Sequence, residues 1–257
     1  MVKGLYTAYT GLMQQQNRLD VITNNLANAS TTGYKKEGIS SVAFDEVLAV
    51  KIKDGSDAYL NKAIGDMSMG VKIGETYTDY SQGSFRVTDN SFDLALDGNG
   101  FFSVSFTNKA GETSTKYTRD GSFTLTKEGY LVTKDGDFVL GSNGPIQIDT
   151  QADTKIDQNG NIFQNGTLVD TLNIVDFADY NYLSKYGENM YDLVQGGTIT
   201  PADCRVEQGT LEMSNMNVVS EMVDMIAITR NFESNQKIVQ TMDDTLDKTV
   251  NQVGKIG

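Results

Sequence analysis

The sequence of 257 residues contains no histidine and no tryptophan, and Cys204 is its single cysteine. A disulfide framework, a zinc site of the Cys/His kind and a nucleophilic triad built on histidine all need residues this chain does not have. The missing tryptophan also removes the usual stacking platform of a sugar-cleaving cleft. Positive charge is scarce: 21 Lys and Arg face 34 Asp and Glu, a net charge of −13, which argues against a surface for nucleic acid or for an anionic membrane. No apolar run approaches the length of a membrane span, and the opening MVKGLYTAYTGLMQQQ lacks the apolar core and small-residue cleavage site of a secretory signal peptide. Neither membrane insertion nor a cleaved leader is expected. Cys204, in the run CRVE with only Arg205 as a basic neighbour, is expected to pack as a small hydrophobe on a strand.

What the sequence does hold is a seven-residue repeat at each end. Val218, Met225, Phe232, Val239, Leu246 and Val253 fall seven apart, and no proline or glycine interrupts residues 216 to 253. This is the pattern of one long helix with a narrow apolar seam. Over about 38 residues it extends on the order of 57 Å. Asn215 or Asn217 is placed to cap its start, with Glu221 and Asp224 in early turns where the helix dipole favours acids. Leu5, Leu12, Leu19 and Leu26 also lie seven apart, so a helix from about residue 3 to 29 sets them in one line.

The two helices differ in charge. Between Gly4 and Asn17 the first has none, and the positions off its Leu seam are Thr7, Thr10, Gln14, Gln16, Asn17, Thr23, Asn24, Asn25 and Asn28. Amides and hydroxyls are buried against neighbours at less desolvation cost than charges, so this helix is expected to be surrounded by protein on several sides. The C-terminal helix carries Glu221, Asp224, Arg230, Glu233, Lys237, Asp243, Asp244, Asp247 and Lys248, so one side of it meets water. The seams' companion positions are weak, with Gln15 and Gln16 in one helix and Asn235 and Gln236 in the other. These amides are expected to set register rather than add stability, which makes Gln236→Leu the natural test. Met213, Met216, Met222 and Met225 lead into the second helix as flexible contact residues.

The first helix ends at NASTTG (28 to 33). Residues 37 to 80 have no clear period; FDEVLAVKI (44 to 52) suits a short helix or a strand, and 53 to 70 reads as an extended excursion. From about Thr78 short runs such as FDLAL, FFSVSF, SFTLT, TLNIVDF and NMYDLV alternate with turns. Asp-Gly or Asn-Gly pairs begin at Asp97, Asn99, Asp120, Asp135, Asn143, Asn159 and Asn165, each expected to supply a tight hairpin turn. An all-β domain of many short antiparallel strands follows.

Two tempting sites fail on pattern. DGNG, KDGD and DQNGN resemble pieces of calcium loops, but none completes the ligand spacing; counted from Asp157, Leu168 stands where a bidentate Glu belongs. Asp93, Asp97 and Asp120 are the carboxylates that a carbohydrate-cleaving cleft would use, yet no further polar constellation accompanies them. No catalytic residue, metal ligand or cofactor site is assigned.

Four stretches, NNLANASTTGYK (24 to 35), FDLALDGNGFFSV (92 to 104), YTRDGSFTLTKEGYLV (117 to 132) and GTLEMSNMNVVSEMVDMIAITRNFESNQKIVQTMD (209 to 243), together resemble bacterial flagellar rod and hook proteins, in order and from end to end. In the resemblance, Asn24, Asn25, Leu26, Ala27, Asn28, Thr32, Gly33 and Tyr34 match the N-terminal signature. Asn215, Glu221, Met225, Ile226, Arg230, Phe232, Glu233, Asn235 and Lys237 match the C-terminal one. Departures are Ser91-Phe92 where relatives usually have a proline before the DLAL strand, and ITRNFESN in place of a run that commonly carries Gln before Arg.

The resemblance implies an α+β chain. Residues 1–33 and 212–257 would form a discontinuous helical coiled coil for assembly, 34–79 a linker, and 80–211 the β domain. It implies a non-enzymatic, self-assembling homo-oligomer of the basal-body rod, a distal rod subunit in preference to a proximal or hook-type one. Such a subunit meets other rod and hook proteins, passes through the flagellar export apparatus and encloses the export channel while transmitting torque. Leu5, Leu12, Leu19, Leu26, Asn24, Asn25, Asn28 and the seam Val218 to Val253 are the expected assembly interface, with the C-terminal helix lining the channel. Another exported coiled-coil surface protein is the alternative.

Overall fold

The computed structural model describes residues 2–51, 62–108, 111–187 and 189–253. The chain divides into two compact units. One comprises residues 1–27, 37–79 and 217–257; the other comprises 28–36 and 80–216.

The first unit is built on two helices, α1 (Val2–Ala27) and α2 (Val218–Lys248), the latter continued by one π-helical turn, Thr249–Val253. Asn217 caps α2, its Oδ1 accepting from the N–H groups of Val219 (3.0 Å) and Ser220 (3.3 Å), which satisfies donors that the first helical turn leaves without partners. The stretch without a clear period contains two antiparallel ribbons: β1 (Glu37–Ala43) with β4 (Val71–Thr78), and, between them in sequence, β2 (Val47–Lys51) with β3 (Lys62–Met67). FDEVLAVKI therefore contributes a strand. The β1–β4 ribbon has no buried face of its own, which is why its sequence shows no inside–outside alternation. Ile52 and part of the expected excursion, residues 53–61, lie outside the described residues.

The second unit holds short strands: β5 (Phe85–Val87), β6 (Leu94–Gly98), β7 (Phe101–Thr107), β8 (Thr113–Thr118), β9 (Thr124–Leu125), β10 (Leu131–Val132), β11 (Phe138–Gly141), β12 (Gly144–Pro145), β13 (Thr154–Ile156), β14 (Asn161–Gln164), β15 (Thr167–Thr171), β16 (Ile174–Phe177), β17 (Leu183–Tyr186), β18 (Met190–Leu193), β19 (Ile199–Pro201), β20 (Cys204–Gln208) and β21 (Thr210–Glu212). Among the described residues every strand pairing is antiparallel. The centre is β7, with β8 on one side and β11 and β16 sharing the other. Its residues alternate across the sheet. Phe102 and Val104 join one core with Leu94, Leu96, Phe123, Leu131 and Ile162, while Phe101 joins a second with Tyr117, Phe177 and Tyr191. Burial on both faces explains why FFSVSF reads as a nearly continuous apolar run.

Four of the seven Asp-Gly and Asn-Gly pairs lie at hairpin turns: those at Asp135, Asn159 and Asn165 between paired strands, and that at Asn143, whose Gly144 is already the first residue of β12, opposite Gly141. Asn165 and Gly166 both have positive φ (50° and 81°) between the partners Gln164 and Thr167, the geometry of a type I′ turn. The expectation fails for the other three. Gly98 is a ladder residue opposite Cys204, and Gly100 lies against Ala202 and Ile174. At Gly121 a Cβ would fall 1.7 Å from the carbonyl oxygen of Leu94, whose own N–H donates to Gly121 O at 3.0 Å. These glycines serve close backbone approach rather than reversal.

Candidate assembly surfaces and a buried charge network

In the first unit α1 and α2 run antiparallel, with Gly4 beside Met242 and Gly11 beside Asn235. Leu5, Leu12, Leu19 and Leu26 are half-buried, as are Met225, Phe232, Val239 and Leu246; Val218 is more exposed, and the side chain of Val253 lies outside the described residues. The companion positions are clearer in three dimensions than in sequence. On α2 they are Glu221, Ile228, Asn235 and Met242, interleaved with the seam at alternating steps of about three and four residues, the spacing of a helix–helix contact face. Glu221 and Ile228 are almost fully enclosed. On α1 the companions are Ala8, Gln15 and Ile22. Gln16 and Gln236 are exposed, so the register-setting amides are to be sought at Gln15 and Asn235, and Gln236→Leu tests nothing about them.

The polar face of α1 is covered from within the chain. Gln14 Nε2 donates to Ser41 Oγ at 2.5 Å, Gly70 lies against Thr10, and Asn25 exchanges two hydrogen bonds with the backbone of Glu37 (2.8 and 3.0 Å). The ribbon of β1 and β4 thus accounts for much of the uncharged surface that the sequence assigned to surrounding protein. Asn24 is exposed and Asn28 half-buried, the latter's Oδ1 accepting from Thr31 Oγ1 at 3.1 Å.

Among the described residues a third stripe of α1 and the outer face of α2 are exposed. Tyr6, Tyr9 and Met13 are exposed, as are Val219, Met222, Val223 and Ile226, with Val219 at 71% and Val223 at 60%. From Arg230 onward the outer face of α2 turns polar and charged, with Ile238 as an apolar exception.

The second unit contains a site that motif reading passed over. Lys35 Nζ lies 2.6 Å from Glu212 Oε1, and Arg119 Nη1 lies 3.2 Å from Glu212 Oε2; the three side chains are 0–3% exposed. Further donors complete the set: Gly83 N–H donates to Glu212 Oε1 (2.9 Å), Lys35 Nζ to Ser81 O (2.8 Å), and Arg119 Nη2 to Gly98 O (2.8 Å). The guanidinium also stands 5.3 Å from the ring centre of Phe101. Gly33, at φ 68°, donates its N–H to Glu212 O (2.8 Å), and a side chain there would collide with the backbone of Arg119 and Asp120. The nearest sequence signal is that GYKK, YTRDGS and GTLEMS each place a charge beside a strand terminus or turn.

The carboxylates considered for catalysis are engaged in local structure. Asp93 accepts from Thr88 Oγ1 and Asn90 Nδ2, and Asp120 accepts from Thr32 Oγ1, Ser122 N and Ser122 Oγ, while Asp97 lies exposed on β6. Burial pushes the Cys204 thiol up, against a lowering by the charge of Arg119, a basic neighbour that sequence adjacency does not show. Among the described residues no three His, Cys, Asp or Glu side chains are placed to hold a metal, and no helix is long and apolar enough to cross a membrane.

Comparison with known proteins places these features. Residues 5–35 match the family model for flagella basal body rod protein, 95–164 that for the flagellar hook protein FlgE/F/G D1 domain, and 207–253 that for the flagellar basal body rod FlgEFG protein C-terminal. The chain is 35% identical to the flagellar basal-body rod protein FlgG of Bacillus subtilis, covering 98% of this chain and 99% of that protein. It is 31% identical to the flagellar hook-basal body complex protein FlhO of the same organism and 32% identical to the flagellar basal-body rod protein FlgF of Caulobacter vibrioides, each over 100% of both chains. The chain belongs to the family of flagellar basal-body rod proteins, structural components of the basal body and not enzymes.

Proposed function

We propose that this protein is a rod subunit of the distal type, whose α1 and α2 pair as a coiled coil and stack with those of other copies into a tube that transmits torque and encloses the export channel. In this reading 1–33 and 212–257 form the assembly part, 34–79 is the linker, and 80–211 is the β domain. Leu5, Leu12, Leu19 and Leu26 with Val218, Met225, Phe232, Val239, Leu246 and Val253 make the seam, and Asn24, Asn25 and Asn28 belong to the interface at the C-terminal end of α1. Neighbouring rod and hook proteins cap the stack, and the chain reaches it through the flagellar export apparatus.

The observation that carries this is the apolar stripe Val219, Met222, Val223 and Ile226 on α2, left open beside a seam already filled by α1. A surface of this kind on a net acidic chain calls for burial against further protein. The charged outer face of α2 beyond Arg230 suits a wet channel wall. The matches to FlgG and FlgF, both basal-body rod proteins, over nearly the whole chain support a rod subunit; the preference for the distal type rests on the length of the chain, and a proximal or hook-type subunit is the second reading. Electron microscopy of the purified protein under polymerising conditions, with and without residues 1–30, tests the proposal. Straight tubes that vanish on truncation are expected, and a full-length protein that stays monomeric at all concentrations overturns it.

A further inference from the structure

Both helices of the first unit carry exposed apolar side chains in their first halves. On α1 these are Tyr6, Tyr9 and Met13, and on α2 they are Val219, Met222, Val223 and Ile226. Steps of three and four residues keep each set on one face, over about two turns of helix. Continued at the same steps, both faces turn polar: Asn17, Asp20 and Asn24 follow on α1, and Arg230, Glu233 and Lys237 on α2. Because the helices run antiparallel, the two sets fall toward opposite ends of the pair. Gly4 lies beside Met242 and Gly11 beside Asn235, so Tyr9 stands level with Lys237. The α2 set, centred on Met222 and Val223, is displaced from that level by about 14 residues, on the order of 20 Å.

A second copy can cover these sets in two ways. An isologous contact pairs one set with itself across a dyad and turns the partner's helices end for end. A heterologous contact pairs the α1 set with the α2 set, keeps every copy pointing the same way and repeats without closing. It also covers both sets with one kind of interface. The side chains suit this pairing. The ring of Tyr6, 6.4 Å from that of Phe44, offers with Tyr9 a broad apolar area to branched Val219, Val223 and Ile226, while Met13 and Met222 adapt to the gaps. Little charge has to be desolvated: α1 has none between Gly4 and Asn17, and Glu221 and Asp224 lie off the line of the α2 set.

We propose that the α1 set of one copy seats the α2 set of the next, in a repeating contact with an axial step on the order of 20 Å. This rests on the tube reading, which requires all copies to point one way. Two turns of helix per side bury less than the ~800 Å² per partner of a standard interface. A single contact therefore does not hold a dimer, and the docking forms only within the polymer.

Cross-linking of full-length chains tests it. Tyr9→Cys and Val223→Cys are made separately in a Cys204→Ala background, polymerised alone or mixed, and treated with a short bis-maleimide. The mixture is expected to yield dimers linked through residues 9 and 223, identified by mass spectrometry of the joined peptides. Each variant alone is expected to yield none, and dilution below the polymerising concentration should abolish the product. Should either cysteine weaken assembly, Met13→Cys and Met222→Cys replace the pair, with the same outcomes expected. Dimers formed by one variant alone overturn the pairing, as do normal polymers without the mixed product. An unaltered chain that never polymerises overturns the tube reading itself, and the pairing with it.

Discussion

Gly11 of α1 lies so close to Asn235 of α2 that a Cβ added there would stand 3.1 Å from Asn235 Nδ2. Gly4 repeats the relationship with Met242 one heptad away, where a Cβ would come 2.7 Å from the terminal methyl. The two glycines let the helix backbones approach on one line. Met242 is flexible enough to give way, but Asn235 is a short side chain with less room to move. Gly11→Val should therefore cost the first unit on the order of 1–3 kcal/mol by overpacking, despite the removal of a helix-interior glycine. Gly4→Ala should be close to neutral. Denaturant unfolding followed by helical circular dichroism checks both, and equal effects of the two changes would contradict the asymmetry.

The exposed stripe on α2 separates assembly from stability. Val223 is 60% exposed and Ile226 54%, so Val223→Asp with Ile226→Lys removes little packing from the isolated chain. The midpoint of unfolding should move by no more than the equivalent of about 0.5 kcal/mol per change. Polymerisation should be lost, because the stripe would then bring unpaired charges into a buried contact. Light scattering and electron microscopy at matched concentration read the second effect. Polymers formed at the wild-type rate would remove this stripe from the interface.

How much of this was legible beforehand depended on locality. The seams of α1 and α2 repeat every seven residues, so Leu5 to Leu26 and Met225 to Leu246 declare themselves. Glu221 did not: an acid in the first helical turn has a ready explanation in the helix dipole, and only the fold shows it 2% exposed on the contact face. The β1–β4 ribbon has no buried face to impose alternation, and its role in covering Gln14 and Asn25 arises from packing alone. Gly121 looked like a turn because Asp-Gly has that chemistry, whereas the position is governed by the carbonyl of Leu94, far off in sequence. Lys35, Arg119 and Glu212 stood in the motifs that carried the family resemblance, yet nothing local marks three charges as one site.

Arg119 is the member of that site with the most to lose. Its guanidinium reaches Glu212 and the carbonyls of Gly98 and Leu96 (3.5 Å) while lying near the face of Phe101. Arg119→Met keeps much of the apolar contact but leaves Glu212 with one cation and takes the guanidinium donor from Gly98 O, while Leu96 O still accepts from Gln82 Nε2 at 2.7 Å. The expected cost is about 3–5 kcal/mol, seen as a lower urea midpoint at unchanged slope. Arg119→Lys should recover little of it, because an ammonium cannot span carboxylate and carbonyl groups as the fork does. A Lys variant as stable as the original would show that charge alone suffices.

Alkaline pH offers a readout inside the aromatic core. Tyr180 donates its hydroxyl to Asp176 Oδ1 at 2.8 Å, and its ring packs 4.9 Å from that of Tyr80. Burial first, then the hydrogen bond and charge of Asp176, push its hydroxyl up to about 12 from an ordinary 10.0. The folded state thus holds the proton where the unfolded state has released it. The resulting stability is complete below pH 10 and is lost progressively as pH rises through about 12. Tyr180→Phe should remove the decline attributable to this residue over that window. In ultraviolet titration the same variant should lose one late-ionising tyrosine of the 12 in the chain. Asp176→Asn should move that ionisation earlier, since an amide neither repels the phenolate nor accepts as strongly. An unchanged late step in Asp176→Asn would assign the shift to burial alone.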